Sequence, residues 1–290
     1  MKTAFLLALF IFLASSLFPM DWPSPDAVIT KNFGWNDEGL PHLGVSFDDA
    51  GPLAAAEDGE LLYQRGEGDN ASRLPSPLGS WVALDHGDGI ISIYSRFADK
   101  PSEDTPPVAI PNRVEKGRVL GESGISGWSS RKGFYFQLFD RKERRWINPS
   151  MIITPQEDTR LPAIIQVMLK DTQGKLFDLS QVKNVGQGRY TVSVDAVTRS
   201  SRASPLAPYR IICSLNGSET GVLNFETYSA RDGSLMVYRN GLVQARQVYA
   251  PVPGYEIAEV WLTRGQTTLE IIAQDIAGHS RNVIYKLTVE

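Results

Sequence analysis

Histidine and cysteine are scarce in this chain. Among 290 residues there are three histidines, His42, His86 and His279, and one cysteine, Cys213. A lone cysteine excludes an internal disulfide. It lies in the alternating run Tyr209–Leu215 and reads as a small core residue. Three histidines leave little for metal chemistry, because a catalytic zinc normally takes three protein ligands and keeps one position open for water. A positive charge excess is also missing: the net charge is -4 and the pI is near 5.5, which argues against a general nucleic-acid binder. There is no low-complexity segment and no internal repeat, and long helical stripes are few.

What the chain does have begins at its N-terminus. Lys2 precedes the apolar run Ala4–Leu13, and Ala14, Ser15 and Ser16 follow. A short positive region, an apolar region and small residues form the pattern of a secretory signal peptide, expected over residues 1–20. The run is shorter than the roughly 20 residues of a membrane span. Export, with no stable transmembrane span after cleavage, is therefore the expectation.

Period-two alternation dominates the rest. Strands are expected over Gly59–Tyr63, Trp81–Asp85, Ile90–Tyr94 and Gly133–Phe139, with Asp85–Gly89 as a hairpin turn. Gly66–Ser80 and the proline-rich Asp99–Asn112 read as loops. The polar, proline-marked stretch Thr154–Pro162 reads as a linker. Beyond it, short strand-like runs recur at Ala163–Leu169, Gly188–Val194, Tyr209–Leu215, Glu219–Tyr228, Glu256–Thr263, Thr267–Gln274 and Asn282–Val289. So many short strands predict an antiparallel β-sandwich. Ser234–Tyr249 fits a helix or a strand pair equally well. The expected class is all-β, with one domain over 24–154 and a second over 160–290.

Several segments of the first half occur in a recognisable order. They are Phe33-Gly34, His42-Leu43-Gly44-Val45, Gly51–Gly59, Gly79–Gly89, Tyr94-Ser95-Arg96-Phe97, Val114–Gly127, Gly133–Leu138 and Ile147-Asn148-Pro149. The ordered set resembles the lysostaphin-type (LytM-like) zinc endopeptidases, which cleave peptide cross-links in bacterial peptidoglycan. The second half resembles bacterial Ig-like modules, with Asp275–Ser280 near their D-x-A-G-N-x-S turn.

The resemblance implies a zinc site of the first His, the Asp four positions on and the second His of H-x-H. It also implies two further histidines near the water. In this sequence those positions hold His42, Ser46 and Tyr135, with Arg96 and Gly133 in place of the two catalytic histidines. Only His42 is kept. A hydroxyl and a phenol are poor zinc ligands near neutral pH, and Arg96 adds a fixed cation. Asp48 and Asp49 are nearby acids, read as loop or strand-end carboxylates. His86 and His279 read as turn residues.

The expectation is therefore an inactive relative without a cofactor. It would bind a cell-wall hydrolase (an amidase) or peptidoglycan, in the periplasm or outside the cell, and would take no nucleic acid. His42, Arg96, Trp128 and Tyr135 are the candidate groove residues. The competing expectation is an active zinc endopeptidase with displaced ligands.

Overall fold

The computed structural model describes residues 20–66, 75–98, 109–154, 160–199, 205–249 and 254–290. The segment expected as a signal peptide lies outside them, apart from Met20, as does most of the proline-rich loop. Among the described residues there is no α-helix, so none is long and apolar enough to cross a membrane. The protein is all-β.

The strands fall where the alternation put them, and most run longer. The first half holds Gly59–Arg65, Ser80–Asp85, Ile90–Phe97 and Phe134–Asp140, paired antiparallel. Ser234–Tyr249 resolves into a strand pair, Ser234–Arg239 with Leu242–Gln244, closed by a 3-10 turn at Ala245–Gln247.

In the second half, Ala163–Asp171, Gly188–Arg199 and Tyr255–Leu262 form one sheet. Arg210–Leu215, Ser218–Arg231, Gly265–Gln274 and Ser280–Val289 form the other. Their inward residues meet in one core: Val167, Leu169, Val192 and Val194 from the first sheet, Ile211, Cys213, Leu269 and Ile271 from the second. Cys213 is fully buried, and burial pushes its thiol up to about 11.

The two halves share one sheet. Arg145–Ile147 pairs with Phe134–Asp140 on one edge and with Ser218–Arg231 on the other, setting Trp146 opposite Tyr228. Asn148 seals the join: its amide donates to the Glu226 carbonyl and its side chain to the Phe225 carbonyl, both at 2.9 Å.

Phe33-Gly34-Trp35 has an unexpected position. Phe33 is fully buried in the core of the second half, with its ring 5.1 Å from that of Tyr228. The Gly34 carbonyl accepts hydrogen bonds from the Tyr249 and Tyr255 hydroxyls, at 2.7 and 3.2 Å. Gly34 has φ +83°, and a Cβ there would sit 2.5 Å from Phe225 Cδ1. Only glycine fits both demands. On either side, Asn32 exchanges hydrogen bonds with the Ala207 backbone and Asn36 donates to the Gly254 carbonyl. The segment is a plug that docks the first half into the second.

Candidate functional site

The same plug sets the position of His42. A two-residue strand pair, Asn36–Asp37 with Leu40–Pro41, folds the chain back, so that the His42 amide donates to the Trp35 carbonyl at 3.0 Å. The Gly34 amide donates to the His42 carbonyl at 2.8 Å. Val45–Phe47 then pairs with Phe134–Asp140, placing Ser46 beside Tyr135, and Tyr135 in turn faces Ser95 of Ile90–Phe97. Residues far apart in sequence are thus drawn to one spot by strand register.

His42, Ser46, Tyr135 and Arg96 form a packed stack. His42 Nε2 and Ser46 Oγ are hydrogen-bonded at 3.0 Å. The His42 and Tyr135 rings lie 4.8 Å apart, tilted by 38°. The Arg96 guanidinium covers the other part of the tyrosine, with Cζ 5.3 Å from the ring centroid, and its Nη1 donates to Ser46 Oγ at 3.4 Å. His42, Ser46 and Tyr135 are buried, whereas Arg96 is half-buried. Gly133 lies at the far edge, bridged to Gly124 by a pair of backbone hydrogen bonds. A Cβ on Gly133 would sit 2.3 Å from the Phe47 carbonyl oxygen, so the backbone leaves no room for a side chain.

The electrostatics follow from burial. The His42 pKa is lowered to about 3, first by burial and then by the Lys31 charge; Asp37 opposes this and Arg96 adds to it. The imidazole is therefore neutral at ordinary pH. Burial raises the Tyr135 phenol far above its usual range, although Arg96 pulls it back. Burial also lowers Arg96 somewhat, as expected for a cation partly removed from water.

This donor set does not fit zinc. The imidazole nitrogen that faces the site is engaged by Ser46, the phenol stays protonated, and a guanidinium occupies the remaining approach. The nearby carboxylates are committed elsewhere. Asp48 accepts from the Val28 amide at 3.0 Å; Asp49 accepts from Ser123 Oγ and pairs with Lys132, both at 2.7 Å. Among the described residues, no group of three or more His, Cys, Asp or Glu side chains is placed to hold a metal ion.

An open groove of about 710 Å³ lies beside the stack. Its lining includes Trp35, Lys31, Asp37, Asp48, Trp128, Arg131 and Lys132, together with the buried Ser46 and the half-buried Arg96. Of the residues expected to line a cleft, Arg96 and Trp128 do so; His42 and Tyr135 lie beneath the surface. Trp128 stands at the rim, 81% exposed. The contribution of Lys31 and Trp35 carried no sequence signal, since it depends on the fold-back that precedes His42.

The other histidines hold turns. His86 contacts the Asp58 carbonyl at 2.7 Å and Ser92 Oγ at 2.6 Å. His279 meets Asp275 through its ring and its amide, at 2.9 and 2.8 Å. The basic run after Phe134–Asp140 is likewise a solvated turn, with Arg141 near Asp85, Lys142 near Asp88 and Arg145 on Asp140.

Residues 161–290 match one family profile, a span of less than half of the chain. No curated protein matches the chain. Among solved structures, the chain is similar to the catalytic domain, in mutant form, of the prophage-encoded M23 protein EnpA from Enterococcus faecalis. The identity is 19% and the TM-score 0.33, covering 43% of this chain and 90% of that one. It is similar to the SpoIIQ–SpoIIIAH pore-forming complex at 16% identity and a TM-score of 0.34, covering 48% and 92%. It is also similar to the antimicrobial peptidase lysostaphin from Staphylococcus simulans, at 15% identity and a TM-score of 0.34, covering 76% and 86%. Each is a partial likeness, and the chemistry of the site stands on its own geometry.

Proposed function

We propose that this chain is an exported, catalytically inactive LytM-like protein. It binds a cell-wall hydrolase or peptidoglycan in the periplasm or outside the cell, and so takes part in wall remodelling. The observation that supports this reading is the packed stack of Arg96, Tyr135, His42 and Ser46, the residues at the positions that the resemblance assigns to the zinc site and its catalytic surroundings. Without a metal there is no activated water and no polarised amide carbonyl. What remains is a preformed groove with polar and aromatic walls, suited to holding a chain by stacking and charge-assisted hydrogen bonds. The ordered sequence segments from Phe33 to Pro149 support the family reading.

The test is co-sedimentation of the purified protein with sacculi and recovery of envelope hydrolases on immobilised protein, alongside elemental analysis. Retention on sacculi or capture of a hydrolase, with zinc far below one per chain, is the expected result. Stoichiometric zinc together with wall digestion that is lost in His42→Ala would overturn it.

A further inference from the structure

The charges around the groove do not cancel. Lys31 is paired with Asp37 at 2.8 Å, and Lys132 with Asp49 at 2.7 Å. The Asp48 carboxylate receives the Val28 amide. Arg96, Arg131 and the still-charged Asp48 are left, an excess of one positive charge, and among the described residues neither arginine lies within ion-pair distance of a carboxylate.

Arg131 is exposed and solvated, but Arg96 is not. Arg96 is half-buried in the lining of the groove, where its guanidinium meets the Ser46 hydroxyl and the face of Tyr135. A guanidinium carries five donors in a planar fork, and among the described residues one of them, on Nη1, meets a hydrogen-bond partner. The Asp37 charge acts on it only from beyond ion-pair distance and is already bonded to Lys31, so an anion in direct contact would offset the cost of its desolvation.

The backbone strengthens the point. Arg96 has φ +70°, a conformation that side chains with a Cβ rarely adopt. It is fixed there by its amide donating to the Leu78 carbonyl at 3.0 Å and its carbonyl accepting from the Gly124 amide at 2.8 Å. Strained residues of this kind gather at ligand sites, where the surrounding structure aims the side chain. Trp35 and the exposed Trp128 line the same groove and add apolar surface to it.

We propose that the groove takes the carboxylate of a short peptide, with Arg96 as its two-pronged anchor and Trp35 and Trp128 against the peptide's apolar atoms. This rests on the reading of the groove as a binding site and names the group that it binds. A carboxylate accepts two parallel N–H···O bonds from a guanidinium, which a lysine ammonium cannot reproduce.

The experiment is calorimetric or NMR titration of the full chain with three probes: N-acetyl-alanyl-alanine with a free carboxylate, the same peptide as its amide, and N-acetyl-aspartyl-alanine amide. At least one carboxylate probe should bind more tightly than the plain amide by roughly 10- to 100-fold, the range of a hydrogen bond to a charged group. Whichever of the two binds identifies a terminal or a side-chain carboxylate as the source. Arg96→Gly, which accepts the left-handed backbone, should abolish the preference. Arg96→Lys, which keeps the charge and controls for folding, should reduce it about tenfold.

Equal binding of all three probes would overturn the proposal, as would an undiminished preference in either Arg96 variant. If no probe binds while sacculi or a hydrolase are still retained, this inference fails and the broader reading stands. If neither probe nor sacculus nor hydrolase binds, both fail.

Discussion

The plug formed by Phe33-Gly34-Trp35 makes a quantitative prediction, because two glycines of the same fold-back differ in one respect. Gly34 and Gly39 both have left-handed backbones, with φ +83° and +92°. An alanine at either position bears the conformational penalty, about 1 kcal/mol or somewhat more. Their surroundings differ. A Cβ at Gly39 meets one atom, the Tyr249 carbonyl oxygen, at an ordinary 3.6 Å. A Cβ at Gly34 would sit 2.5, 2.7 and 3.0 Å from three atoms of Phe225. Phe225 cannot withdraw, since it is fully buried and its ring lies 5.0 Å from Tyr255 and 6.5 Å from Tyr249. Overpacking of this kind costs a further ~1–3 kcal/mol. Gly34→Ala should therefore destabilise by about 2–5 kcal/mol and Gly39→Ala by about 1 kcal/mol. Urea unfolding followed by tryptophan fluorescence measures both. Trp35 of the plug and Trp146 in the shared sheet lie at the join. If Gly34→Ala is no worse than Gly39→Ala, the plug does not bear the contact described here.

Acid should weaken the fold through His42. Its folded pKa of about 3 lies below the ordinary 6.5, so the unfolded chain takes up a proton that the fold refuses. This contribution is fully present above pH 6.5 and is lost as pH falls toward 3, by ~1.4 kcal/mol per pH unit. Between pH 7 and 5 wild type should lose about 2 kcal/mol more than His42→Gln in urea titrations; parallel slopes would remove the argument. Gly133→Ala should destabilise by about 3 kcal/mol, because its Cβ meets the Phe47 carbonyl, and thermal unfolding would register it. Reinstating a histidine at that position should fail for the same reason. Cys213 should resist Ellman's reagent in the native state and react only on unfolding, since it is fully buried and its thiol is raised to about 11.

Much of the architecture was legible in the chain. Alternation marked the main strands, because a half-buried strand must show one face to the core and one to water. Ser234–Tyr249 was ambiguous because its apolar residues fit either period; pairing with Ser218–Arg231 decided it for strands. The residues of the stack were legible by position, within an ordered set of segments. Their arrangement was not. Whether Tyr135 and Arg96 fill the spot beside His42 or leave it open depends on side-chain packing between strands about 40 and 90 residues apart.

By itself, then, the sequence determined the all-β class and the succession of the strands, since these follow from residue type and local periodicity. The tertiary structure alone decided three things. It set Arg96 and Tyr135 against His42 and Ser46 in one packed stack. It opened a groove beside them, lined by a guanidinium that, among the described residues, has no carboxylate within ion-pair distance. It drove Phe33 into the far core and ran one sheet through both halves. All three are set by contacts between residues remote in sequence, and local pattern carries no record of which remote surface a side chain will meet.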